Sequence, residues 1–389
     1  MIRRLIGQIH LWAGLALCIP FAMLGLTGSI LVFEDELNRA FGPVAGHLAA
    51  GGAARPTSDI IAAARAVAPA GFVPIAYTAP TDIGELASVR LTPPGRSGPG
   101  TEVVRIRVDP VSLETFPESR STLLRQIFYL HSTLLMKNRE GRQLVGWLGV
   151  VMLVMGVSGL VNWWPGRNHW RSAFSVSKQA RGFRLHRELH GAAGIWGLLV
   201  FIVVSFAGVY LAFPATIRSG VDLVLPARDL RAKAAAVRAE PIAGAEPLGV
   251  DGAIELARAS APGTEPVSAF LPTRPDQPFR IGLLRPDQER GAPTVTVFID
   301  PWARRVIEVL DPRKFSIGER ILAWQHALHA GEALGWAWKI LVFLSGLLPP
   351  LFVFTGISMW WIKRGRRKSP VATQDLVFDQ IDTARRAGE

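Results

Sequence analysis

The sequence predicts an integral membrane protein of the α+β class. A four-helix membrane bundle carries two extramembrane α+β domains, and the chain is internally duplicated. Three observations predict this. Four long apolar runs, at about 11–33, 143–164, 191–213 and 336–362, interrupt a chain of 389 residues that is 49% hydrophobic. Two long mixed segments, 34–142 and 214–335, separate the first run from the second and the third from the fourth. Landmark residues recur in the same order in both halves.

Each apolar run is long enough to cross a hydrocarbon core of ~30 Å, which takes roughly 20 helical residues. Backbone groups in lipid must pair within the segment, so the runs are expected to be helices. Buried core helices are the alternative, but soluble cores seldom need four such uncharged lengths. The first run follows Arg3 and Arg4, as a signal peptide would. It is too long for a signal h-region and lacks a small-residue cleavage site directly after it. Leu17 before Cys18 does not suit lipoprotein cleavage, and cleavage would discard His10. An uncleaved first helix is expected. Cys18 is the only cysteine, so no internal disulfide and no covalent haem attachment is expected.

Basic clusters predict the orientation. They are Arg3/Arg4, then Arg167, Arg171, Lys178, Arg181, Arg184 and Arg187, then Lys363 to Lys368. Lys and Arg near helix ends mark the cytoplasmic side. Both termini and the middle loop are therefore expected inside, with 34–142 and 214–335 outside. Lys137, Arg139 and Arg142 run against the trend. Trp163/Trp164 and Trp360/Trp361 close the second and fourth helices as an interfacial belt would. Topology accounts for the net charge of +12, and no nucleic-acid partner is expected.

The expected order is as follows. Membrane helix 1–33 leads into an outer domain over 34–120. An interfacial helix over 121–142 precedes membrane helix 143–164. An inner loop over 165–190 precedes membrane helix 191–213. A second outer domain spans 214–315, followed by an interfacial helix over 316–335, membrane helix 336–362 and an inner tail over 363–389. In the first outer domain, 57–67 reads as a helix capped by Thr57 or Ser58. Val73–Tyr77, Leu86–Leu91 and Val103–Val108 read as strands, and Asp109-Pro110 as a turn. The second repeats this with a helix at 250–260, strands Pro266–Leu271, Phe279–Leu284 and Val295–Ile299, and the turn Asp300-Pro301. Amphipathic Leu123–Met136 carries His131, and Ile317–Ala330 carries His326 and His329.

His10 and His190 lie 180 residues apart, as do Gly14/Gly194, Gly28/Gly208 and Phe33/Phe213. Asp109 and Asp300 are 191 apart, and Trp164 and Trp361 are 197 apart. His131 precedes Trp164 by 33 residues, and His329 precedes Trp361 by 32. Parallel repeats of this kind are related by an axis along the membrane normal.

Six of the eight histidines stand at expected membrane borders: His10, His186 and His190 inside, His131, His326 and His329 outside. A single such histidine is usually a side chain with an apolar body and a wet tip. Three on each side, matched by the repeat, point to ligation. His186 and His190 share a helical face and cannot clamp one iron from opposite sides. Haem ligated across helices fits better, with His10 paired to His190 and His131 to His329, and about two haems in all. His186 and His326 are then alternative ligands or groups that orient a ligand or hold a propionate. Gly14, Gly28, Gly194 and Gly208 would let helix and ring approach, or let helices pack closely. Arg4, Arg187, Arg139 and Arg142 could pair with propionates. A metal at His326/His329 lacks neighbouring ligands, and a proton relay would need acidic residues inside the membrane. A flat ring on each side makes an electron wire. One geometric condition attaches to the outer pair. A continuous helix from His131 to Gln143 would hold the histidine about 18 Å along its axis, so a break at 137–141 is required.

The motifs Q-I-H-L-W-A-G at 8–14, R-E-L-H-G-A-A-G at 187–194, the V-D-P and I-D-P turns, and the closing S-G-L-V-N-W-W-P and T-G-I-S-M-W-W-I-K-R together resemble the PepSY-associated transmembrane family. The resemblance runs nearly the length of the chain, to about Lys368. It implies two PepSY domains in the periplasm, a place in the bacterial inner membrane, and b-type haem held by such histidines. It also implies release of iron by reduction of Fe(III) in a siderophore. Some relatives carry a fused flavin reductase. No glycine-rich dinucleotide fingerprint follows a strand here, so electrons are expected from quinol or a cytosolic reductase. The rival reading is a non-catalytic PepSY membrane protein that binds or regulates periplasmic partners.

Overall fold

The computed structural model describes residues 1–41, 52–80, 85–95, 102–117, 122–136, 139–166, 169–289 and 291–366. Lys137 and Asn138 of the expected break, Arg167, and all of the tail from 367 onward lie outside them. The chain is α+β and forms two compact units. One comprises residues 1–26, 150–202 and 344 onward; the other comprises 27–149 and 203–343.

The first apolar run is two helices, α1 (Ile2–Ala16) and α2 (Cys18–Val32), bent by 70° at Leu17. A single straight helix was the expectation, and Pro20 explains the difference. It has no N–H to give the Ala16 carbonyl, and its ring is tolerated only in the first turn of α2. After α3 (Glu34–Phe41), α4 (Thr57–Val67) leads into four strands. These are β1 (Val73–Thr78), β2 (Ala87–Thr92), β3 (Val104–Val108) and β4 (Thr115–Pro117). Then come α5 (Thr122–Thr133), α6 (Arg139–Trp163), the short α7 (Trp170–Ala173) and α8 (Gly182–Ala212). Next are α9 (Pro214–Asp222), α10 (Leu230–Ala236) and α11 (Val250–Ser260). A second set of strands follows: β5 (Glu265–Phe270), β6 (Phe279–Leu284), β7 (Val295–Asp300) and β8 (Arg305–Leu310). The chain continues through α12 (Ile317–Ala323) and α13 (Gln325–Ala330) to α14 (Gly335–Arg366).

α6, α8 and α14 are long and apolar enough to cross a membrane, and the bent pair α1–α2 passes the same test taken together. Only 11%, 17% and 22% of their most apolar stretches are buried. Apolar surface left outward on that scale calls for lipid rather than water. α8 begins well before the expected 191, so His186 and His190 both lie within it.

The strands form one antiparallel eight-stranded sheet, in the order β4-β3-β2-β1-β5-β6-β7-β8. Alternation puts Val89, Leu91, Ile106, Val108, Ile281, Leu283, Val297 and Ile299 on one face, each 2% exposed or less. They share one core with Ile60 and Ala64 of α4 and Ala253 and Ala257 of α11. Two outer domains, each with its own three strands, were expected. β1 pairs with β5 through Ala76↔Phe270, Tyr77↔Ala269 and Thr78↔Ser268, so the strands of both segments lie in one sheet. An edge strand leaves a row of unpaired N–H and C=O groups, and this pairing satisfies both rows. The added strands β4 and β8 follow the two Asp-Pro turns. Asp109 and Asp300 are buried there, and their carboxylates accept from Val111 and Trp302 N–H, each at 2.9 Å.

A break before α6 is present, but it falls earlier than the expected 137–141, since Arg139–Gly141 already belong to α6. α5 ends at Thr133, and Leu134 and Leu135 both take left-handed φ, 53° and 61°. Leucine pays roughly 1–2 kcal/mol per residue for that conformation, so surrounding structure must hold the turn. The second interfacial helix, expected over 316–335, is likewise divided. α12 and α13 meet at Trp324, and Gly331 ends α13 in left-handed geometry.

α12 opens with a capping box, in which Ser316 Oγ accepts from Glu319 N–H and the Glu319 carboxylate accepts from Ser316 N–H. Arg228 grips the same carboxylate with two nitrogens, at 2.6 and 3.1 Å. Those bonds hold the Glu319 carboxyl below its ordinary pKa. The stabilisation is thus complete above the ordinary glutamate range, about 4.3, and fades as pH falls through the lower folded value. Glu319→Gln is expected to cost about 1.5–3 kcal/mol at neutral pH. The thermal midpoints of variant and parent should converge on acidification.

Candidate functional site

In the first unit, α1 presents His10 and α8 presents His190. Their ring centroids lie 6.3 Å apart, with the planes at 71°. Each ring is anchored through Nδ1 to a hydroxyl on another helix. His10 bonds Ser158 Oγ of α6 at 2.8 Å, and His190 bonds Thr355 Oγ1 of α14 at 2.8 Å. Both hydroxyls spend their own proton on a helix carbonyl, Ser158 on Met155 at 3.1 Å and Thr355 on Leu351 at 2.8 Å. They must therefore accept from the imidazoles. Nδ1 carries the proton in both rings, and Nε2 keeps a lone pair.

These rings border a cavity of about 860 Å³, within the range of small-molecule and cofactor sites. Its walls are mostly apolar, and Arg184, Arg187 and Lys363 stand in its lining. Arg3 lines it too, donating to the carbonyls of Asn162 and Trp164 at 2.9 Å each. The segment between α6 and α8 forms part of the wall and is pinned by indole N–H groups. Trp163 donates to Ala173 O at 3.0 Å, and Trp196 to Phe174 O at 2.9 Å.

In the second unit, α5 and α13 bring His131 and His329 to 6.0 Å between centroids. His131 Nδ1 bonds Thr27 Oγ1 of α2 at 3.0 Å. His329 Nδ1 lies 2.9 Å from the Val204 carbonyl of α8. A carbonyl can only accept, so Nδ1 of His329 carries the proton and Nε2 is again the lone-pair nitrogen. Glycines make room for both rings. A Cβ at Gly28 would lie 3.0 Å from His131 Cε1, and one at Gly208 would lie 3.0 Å from His329 Cε1. These two glycines thus seat histidine rings. Gly14 and Gly194 differ, having as nearest neighbours Met155 at 3.2 Å and Phe352 at 3.8 Å.

The remaining candidates fall elsewhere. His186 is outside the lining of the cavity. Its ring packs on Phe354 at 5.6 Å, and its buried Nδ1 has no hydrogen-bond partner among the described residues. His326 is exposed on α13, and Arg139 and Arg142 are exposed at the start of α6. Arg187 lines the cavity, whereas Arg4 does not. Sequence reasoning missed His169, which also lines it. It missed Ser158 and Thr355 as well, although a signal was present. Each opens its closing motif, five residues before Trp163 and Trp360. Among the described residues no three His, Cys, Asp or Glu side chains converge as a metal site.

Apolar helices with little buried surface, an antiparallel sheet and two facing histidine pairs define an α+β membrane protein with paired-histidine sites. The chain belongs to the PepSY-associated TM region family, whose profile matches residues 8–363. None of the curated proteins matches it.

Proposed function

We propose that this chain is a haem-binding membrane oxidoreductase that passes electrons outward to a periplasmic Fe(III) chelate of the siderophore kind. In this reading the bent pair α1–α2 and the helices α6, α8 and α14 are four spans of the bacterial inner membrane. Both termini are cytoplasmic, and the two α4/β1–β4 and α11/β5–β8 assemblies are duplicated PepSY domains.

The observation that carries the reading is the state of the histidines. Four rings form two facing pairs and each is anchored through Nδ1; in His10, His190 and His329 the Nδ1 bond leaves Nε2 as the lone-pair nitrogen. Metal-binding histidines commonly give their other ring N–H to an oxygen, which orients the ring and raises its basicity. Two imidazoles on opposite sides of one metal, each bonded at about 2 Å, have centroids about 6 Å apart. Pairs with no third protein ligand suit an iron whose other ligands come from a macrocycle. Haem would be held by His10 with His190 and by His131 with His329, and when bound it supplies one-electron redox chemistry. Ser158, Thr355, Thr27 and the Val204 carbonyl set the rings. The apolar wall would exclude water, and Arg187 and Lys363, which line the cavity, would pair with propionates. The donor is a separate quinol or cytosolic reductase. Each Fe(III) takes one electron, and the resulting Fe(II) is held less tightly by hard oxygen ligands.

Absorption spectra of the purified protein before and after dithionite test this. A Soret band with sharpened reduced bands and about two haems per chain is expected. A colourless protein, after expression with ample haem, would sink the redox reading and leave the non-catalytic partner-binding one.

A further inference from the structure

The sheet face turned away from α4 and α11 holds a cavity that the histidine pairs do not use. Its volume is about 410 Å³, large enough for a small metabolite. Alternating residues of β5–β7 make its floor, and α10 and Phe315 wall it.

The lining is cationic and rich in hydroxyls. Among the described residues it is lined by Arg231, Arg280, Ser268, Thr294 and Thr296 and by no carboxylate. The Arg280 guanidinium lies 3.8 Å from the centre of the Phe270 ring, and that of Arg231 lies 5.7 Å from the centre of Tyr210. Neither makes a hydrogen bond or ion pair among the described residues. A guanidinium stacked on a ring keeps its in-plane N–H groups for a bidentate oxygen ligand. Arg90 approaches Phe270 from 5.4 Å and adds like charge. Burial first, and Arg90 second, push the Arg280 pKa below its ordinary value. Among the described residues, neither Arg231 nor Arg280 has an ion-pair partner.

The floor is bare at Gly282, which pairs with Ser268. Gly282 lies in mid-strand, where glycine costs roughly 0.5–1 kcal/mol relative to alanine. A Cβ there would sit 2.4 Å from Ser268 Oγ and 3.5 Å from Thr294 Oγ1. Glycine inside a strand often marks the close approach of a ligand. The fourth residue of β2 is Arg90, whereas the fourth of β6 is Gly282. The open floor therefore belongs to one half alone, which a need of the shared sheet would not explain.

We propose that this cavity binds a small multiply charged oxyanion, a di- or tricarboxylate or a phosphate ester. The N–H groups of Arg231 and Arg280 and the hydroxyls of Ser268, Thr294 and Thr296 hold its oxygens. The site stands independently of the haem reading, since a colourless protein that binds the anion would sink that reading alone.

The test is calorimetric titration of the full chain in detergent with citrate and with glycerol 3-phosphate. Saturable binding of citrate assigns a carboxylate ligand, and binding of glycerol 3-phosphate a phosphate ester. Arg280→Gln is expected to weaken binding at least about tenfold, near 1.4 kcal/mol. Arg280→Lys, which keeps the charge and loses the fork, should weaken it less. Arg258→Gln, at an exposed pair with Glu265, should bind as the parent does. Parent protein that binds neither probe overturns the proposal. So does equal binding by the parent and the Arg231→Gln/Arg280→Gln double variant.

Discussion

On the proposed haem reading, His190→Ala is expected to halve the haem content of the purified protein, measured as the pyridine haemochrome per chain. The remaining spectrum should belong to the His131/His329 pair. His10→Ala should do the same, because the two rings face each other and either loss would leave the pair with one histidine. The two pairs lie in different compact units, so removal of one need not disturb the other. Thr355→Val sharpens the test. It keeps the His190 ligand and removes the acceptor for its Nδ1–H, leaving a buried donor unsatisfied at a cost of about 1–3 kcal/mol. Haem affinity should fall about 10–100-fold, as for other groups that orient a metal ligand. Full haem content in both histidine variants would refute the pairing.

Gly208→Val is expected to remove the other haem while leaving the first spectroscopically intact. The carbonyl of Val204 lies one turn before Gly208 on α8, and His329 reaches it across the bare glycine. A Cβ at 208 would come within 3.0 Å of Cε1 and 3.4 Å of Nδ1 in that ring. Valine adds two methyls to a space already too tight for one carbon. The ring must shift, break its 2.9 Å bond to Val204, and turn Nε2 away from His131. Gly28→Val should act the same way on His131. Gly220→Ala is the control, because no atom lies within 4 Å of a Cβ there. Haem content should then be about half in the first two and unchanged in the third. Parental haem content in Gly208→Val would show that the ring is not held there.

Much of this arrangement was legible in the chain. The 180-residue recurrence of His10 at His190 and of Gly28 at Gly208 places equivalent side chains at equivalent depths. Facing pairs follow once the halves come together. The closing Trp pairs and the family motifs led to the same architecture, and the match over residues 8–363 bears the family out. The roles within each motif were less legible. Ser158 and Thr355 looked like ordinary small residues in apolar helices, and only their distance to a histidine on another helix gives them a task. His186 was as prominent as His190, yet one helical turn sends it to Phe354.

Local chemistry along the chain thus dictates the apolar lengths, the strand alternation, the Asp-Pro turns and the repeat. Each depends on neighbours a few residues away, or on copying of the same pattern. Long-range packing sets the joining of β1 to β5, the bend at Leu17 and the histidine tautomers. It also leaves the arginine-lined space above Gly282. These depend on which unpaired edge, carbonyl or hydroxyl arrives from a distant segment, and no periodicity within one segment carries that information.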